Sequence, residues 1–119
     1  MQFFDNELVR SQVAELVTIY EDITDLSRSY KFATEEGADE YLKMMTRMLE
    51  LQEMIYFRAK YSDKEDAQEY IDVINMSLPF VAKEGEKDPS QTFRRMKAEI
   101  EQLKRLKGRP WQAPTTLVL

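Results

Sequence analysis

Apolar residues return along the first part of the chain at alternating spacings of four and three: Val9, Val13, Leu16, Tyr20 and Ile23. That is the seam of a helix packed lengthwise on another at a shallow angle. Leu26 and Tyr30 continue the stripe with a slight drift, which predicts a helix over residues 6–30, roughly 37 Å long at 1.5 Å per residue. Asp5 is placed to cap its first amides. Glu7 adds charge that suits the helix dipole, and Phe4 with Val9 forms a hydrophobic staple.

A second helix is predicted from Thr34, a capping residue followed by Glu35 and Glu36. Gly37 weakens its first turn, so the start is free to shift by a residue or two. Then come Tyr41, Leu42, Met44, Met45, Met48, Leu49, Leu51, Met54, Ile55, Tyr56 and Phe57. These cover about half the circumference instead of a stripe, so this helix must meet at least two neighbours. It is the central helix.

The stretch SDKE, Ser62 to Glu65, fits a capping box for a third helix bearing Ala67, Tyr70, Ile71, Ile74 and Leu78. Pro79 is expected to interrupt it, and PFVAKEGEK leads on through a turn or broken extension to a loop around Gly85. A fourth helix follows from DPSQ, with Asp88 as cap, Pro89 at the first helical position and Gln91 completing the box. Phe93, Met96, Ile100 and Leu103 are its seam. Lys104, Arg105 and Lys107 suit its last turn, Gly108 its end, and Pro110 stops it. The final RPWQAPTTLVL has no helical period and reads as a tail. The expected architecture is all-α: an antiparallel bundle of three to four helices built on a long hairpin, one domain over 1–108 with a tail over 109–119.

Composition narrows the chemistry. The 119 residues contain 3 glycines and 4 prolines, too little turn punctuation for a β-rich protein of this length. There is neither cysteine nor histidine, which removes disulfides, thiol nucleophiles, the commonest general base and the imidazole metal ligand. A di-iron carboxylate bundle needs Glu-x-x-His on two helices, and no glycine-rich phosphate loop or serine elbow is present. The sequence thus predicts no enzyme, no metal and no cofactor. No apolar run is long enough to span a membrane, and the acidic start is unlike a signal peptide. The expected setting is the cytoplasm.

Net charge is −5, unevenly spread. Between Arg94 and Arg109 seven Lys or Arg residues stand against Glu99 and Glu101, leaving +5 there and −10 elsewhere. Arg94, Arg95, Lys97, Lys104 and Arg105, with Trp111 for stacking, are therefore candidates to bind an anion such as nucleic acid or nucleotide. Against this, Glu101 lies within helical reach of Lys97, Lys104 and Arg105, and an acidic body repels a polyanion. The methionine-rich helix supplies a second candidate surface, Met44, Met48, Leu51 and Met54, since flexible thioethers suit varied partners but also fill cores. Burying its excess width in a homodimer is the simplest use for it. The tail is a third: Leu117, Val118 and Leu119 suit docking on a partner or folding back on the bundle.

FFDNELV at residues 3–9, KFATEEGADEYLKMMTRMLE at 31–50 and RRMKAEIEQL at 94–103 resemble a small family of cyanobacterial proteins known only as a domain of unknown function. The resemblance runs through most of residues 3–103 and implies a cyanobacterial or cyanophage cytoplasmic setting. It brings no catalytic residues. The chain departs from the family pattern over 62–87 and in its tail. Together the residues point to a non-catalytic module that binds and modulates a larger cytoplasmic complex as a homodimer, through Met44, Met48, Leu51, Met54, Trp111, Leu117 and Leu119. The alternative is a nucleic-acid- or nucleotide-associated regulator using the basic helix.

Overall fold

The computed structural model describes residues 2–105, so Trp111, Leu117, Leu119 and the expected stop at Gly108 and Pro110 lie outside them. Four helices make the bundle: α1 over Glu7–Ser27, α2 over Glu35–Lys60, α3 over Glu65–Val81 and α4 over Pro89–Arg105. Short 3₁₀ turns at Phe3–Asp5 and Tyr30–Ala33 precede α1 and α2. The predicted hairpin forms: the side chains of Arg47 and Glu15 join α2 to α1 at 2.9 Å, and Gln12 Nε2 donates to Met54 Sδ at 3.3 Å.

α2 is the central helix. Leu42, Met45, Met48, Leu49, Leu51, Ile55 and Ala59 are buried, and α1, α3 and α4 all pack on it. From α1 come Val9, Leu16 and Leu26; from α3, Ala67 and Ile74; from α4, Phe93, Met96 and Ile100. Tyr56 and Phe93 meet with ring centres 6.1 Å apart. Most of the breadth of α2 that would call for a second copy is thus covered within the chain, and Met48 and Leu51 are core, not contact surface.

Helix ends differ from expectation in instructive ways. Asn6, not Asp5, caps α1, accepting from the Leu8 and Val9 amides at 3.0 and 3.3 Å. Asp5 instead closes the 3₁₀ turn before it, where its Oδ2 accepts from the Gln2 amide. That turn is pinned from α3: Asp66 accepts from the Phe3 and Phe4 amides at 2.9 and 3.0 Å. α1 also stops early. Ser27 and Ser29 hydroxyls bond back to the Thr24 and Leu26 carbonyls, competing with a further helical turn, and Tyr30 lies exposed in the following 3₁₀ turn.

Thr34 caps α2 as expected, its hydroxyl accepting from the Gly37 amide at 3.0 Å. The box at Ser62–Glu65 does not form. Lys64 occupies the cap position of α3, and Ser62 Oγ accepts from its amide. The later start puts Asp66 in the first turn, facing the two phenylalanine amides. Pro79 does not break α3, which continues to Val81. Its missing amide would have met the carbonyl of exposed Asn75, which water can satisfy, so the cost is small so near the end.

The DPSQ signal is realised at α4. Asp88 Oδ1 accepts from the Ser90 amide at 2.8 Å, and Gln91 Oε1 accepts from the Lys87 and Asp88 amides. Lys60–Asp88 and Lys97–Glu53 ion pairs, at 3.8 and 3.0 Å, run α4 antiparallel to α2.

Candidate protein-interaction surfaces

With the seams of all four helices committed inward, the apolar side chains left in water stand out. α3 is apolar on two sides. Ala67, Ile74 and Leu78 face the core, while Val73, Met76 and Phe80 are 52%, 74% and 87% exposed. At 100° per residue these three share an arc of about 60° on the side opposite the core. Their three-four spacing was visible in the sequence, but Tyr70, Ile71 and Ile74 among them formed an equally good stripe and masked it.

At the N-terminal end of this ridge lies a groove of about 300 Å³ lined by Phe4, Asp66, Glu69, Tyr70 and Val73. Phe4 meets Tyr70 edge-on, ring centres 5.7 Å apart. The Tyr70 hydroxyl is buried with no hydrogen-bond partner among the described residues, and burial, with the Tyr20 phenol nearby, pushes its pKa far up. A buried hydroxyl without a partner costs about 1–3 kcal/mol. Tyr70→Phe is therefore expected to leave the fold unharmed or to stabilise it by about 1 kcal/mol in urea denaturation; a clear loss of stability would show that the hydroxyl has a partner after all.

The second surface is the last two turns of α2. Met54, Phe57 and Tyr61 recur at i, i+3 and i+7, all exposed, and exposed Leu8 belongs to the antiparallel neighbour at the same end. Further back, the same face of α2 carries Lys43, Arg47 and Glu50. A groove of about 480 Å³, lined by Gln2, Phe3, Asn6, Val9, Arg58, Ser62 and Lys64, opens at that end of the bundle. Met54 thus stands where a partner can reach it. Met44 is half-buried beside Ile19, in a shallow groove walled by Glu15, Glu40, Lys43 and Arg47.

The basic helix is largely committed internally. Arg95 is held by Glu86 at 2.8 Å, Glu99 at 2.8 Å and the Val81 carbonyl at 2.6 Å. Lys97 pairs with Glu53 and Lys104 with Glu101. Arg95 is therefore a structural tie instead of an anion hook, and only Arg94 and Arg105 of the expected set lack an ion pair among the described residues. Opposite charges three to nine residues away in sequence account for much of this, though the Glu86–Arg95 contact crosses a loop that periodicity does not resolve.

Among the described residues, no group of three or more Asp or Glu is arranged to hold a metal ion, and no helix is long and apolar enough to cross a membrane. No curated protein and no solved structure shows significant similarity to this chain. The model of one family, described as a domain of unknown function (DUF1825), matches residues 1–106, which spans the four described helices and ends before the expected tail. The chain belongs to that family.

Proposed function

We propose that this protein is a non-catalytic interaction module that joins and modulates a larger cytoplasmic assembly. One observation carries the reading: large apolar side chains line up in water at helical spacing, on α3 and at the end of α2, although the same helices bury complete seams elsewhere. Scattered exposed apolar residues are ordinary, but aligned ones favour a protein surface that covers them. The cluster of Met54, Phe57, Tyr61 and Leu8 combines aromatic rings with a flexible thioether and is bordered by Arg58. That composition suits a contact centre.

Affinity capture with the full chain tests this directly. Wild type is expected to retain a specific protein that a Met54→Glu/Tyr61→Glu variant, unchanged in circular dichroism, no longer retains. The reading fails when wild type retains nothing above a control, or when retention ignores charge placed on either apolar face.

A further inference from the structure

The outer face of α3 has a polarity that one copy leaves unused. On the side turned from the core, Glu69 comes first, then Val73, Met76 and Phe80; Lys83 follows, exposed, two residues after the helix ends. Acid, apolar ridge and base therefore follow in order. Met76 lies midway, seven residues from Glu69 and seven from Lys83, with Val73 and Phe80 on either side of it.

Such an order is complementary to itself turned end for end. Laid antiparallel about Met76, the helix puts Lys83 of each copy beside Glu69 of the other and Phe80 beside Val73. At Val73 there is room for it: the groove of about 300 Å³ has Phe4, Tyr70 and Val73 for walls. Phe80 is the most exposed residue of the ridge, and among the described residues it is a knob without a hole and the groove a hole without a knob. A phenyl ring entering there adds a third member to the edge-on Phe4–Tyr70 pair. The relation is isologous, since each copy gives one knob and one hole, so it closes at two copies and does not propagate.

We propose that the chain forms a two-fold homodimer by antiparallel pairing of α3 with α3 of a second copy, with Phe80 of each seated between Phe4, Tyr70 and Val73 of the other. The Glu69–Lys83 contacts at the rim set the register more than the affinity. Lys83 already pairs with Glu99 at 3.1 Å, but its side chain is 67% exposed, so it can turn from one carboxylate to another at little cost. Asp66 also lines the groove, yet both its oxygens are occupied by the Phe3 and Phe4 amides. The paired stretch from Glu69 to Lys83 is about 21 Å long, so the interface is at the smaller end of stable ones and its dimer is concentration-dependent. This assignment rests on reading exposed apolar faces as contact surfaces and leaves the α2 end free for a different protein.

Sedimentation equilibrium on the full chain, from about ten to several hundred micromolar, decides the matter. Wild type is expected to pass from monomer to dimer mass, and Phe80→Glu to weaken the dimer by about 30-fold or more, the scale of one desolvated aromatic anchor. Glu69→Lys and Lys83→Glu are each expected to weaken it, and the two together to restore it, because each copy supplies both ends. A wild type that stays monomeric throughout, or a dimer indifferent to Phe80→Glu, overturns the proposal. A double charge swap that fails to restore association overturns the antiparallel register. Should the wild type be monomeric while capture through Met54 and Tyr61 succeeds, the dimer falls and the interaction module stands.

Discussion

Gly37→Ala is expected to destabilise the fold by about 3 kcal/mol, the upper range for forcing extra volume into a packed site. Elsewhere in a helix the same change gains about 1 kcal/mol of propensity, so the sign itself is diagnostic. A Cβ built on Gly37 would lie 1.8 Å from the Lys31 carbonyl oxygen, 2.6 Å from its carbon and 3.1 Å from the Phe32 Cα. All three are backbone atoms, so no side-chain rotation relieves the clash. The turn cannot simply lift away either. Phe32 meets Tyr41 edge-on at 5.2 Å, and Lys31 pairs with Glu40 at 3.0 Å. Denaturation in urea measures the effect, with Gly85→Ala as comparison. Gly85 has φ +88 but open space around its Cβ, so the loss there is about 1–2 kcal/mol of backbone strain alone. If Gly37→Ala were neutral or stabilising, the close approach of the Tyr30–Ala33 turn to α2 would not exist.

Gly37 also marks what the sequence could and could not express. Helix seams were legible because apolar spacing is a property of each helix alone: Val9, Leu16, Phe93, Met96 and Ile100 are core where periodicity put them. The Asp88–Gln91 box and the Thr34 cap were legible for the same local reason. Where a distant segment competes, local signals lost. Asp66 draws the Phe3–Phe4 amides to α3 and with them the start of α1 shifts from Asp5 to Asn6. Gly37 looks like a weak point in a helix until the carbonyl of Lys31 is seen against it. The contact surfaces were half legible. The methionine helix was rightly seen as too broad for one neighbour, but breadth does not say whether neighbours come from the same chain. Met48 and Leu51 turned inward, Met54 stayed in water, and the most exposed ridge, on α3, was hidden by an equally good stripe on the same helix.

Arg95→Met is expected to cost about 3 kcal/mol at neutral pH, because it leaves carboxylates in a partly buried corner without their counter-charge. The Arg95 side chain is 17% exposed, and Glu86 and Glu99 face it at 14% and 29%. Burial alone pushes both carboxyl pKa values up. The Lys83 amide with Arg95 and Thr92 outweighs this for Glu86, and Arg95 with Lys83 outweighs it for Glu99, so both settle below the ordinary glutamate value. Gly85 makes the arrangement possible, since its positive φ closes the turn in which the Glu86 amide bonds to the Lys83 carbonyl. A carboxyl held low in the folded state contributes stability that is present above its unfolded pKa and is lost as pH falls through the folded one. In the wild type that loss belongs below about pH 4, the usual carboxylate range. Without the guanidinium each carboxyl loses a group that holds it low and shifts upward from its wild-type position, so the variant loses less stability to acid than the wild type does. The stability gap between the two is therefore expected to be widest near pH 7 and to narrow as pH drops towards 4. Urea denaturation at the two pH values checks this. A gap that stays constant would mean that Arg95 supports the corner only through its hydrogen bond to the Val81 carbonyl, and that the charges of Glu86 and Glu99 have no part in holding α3 to α4.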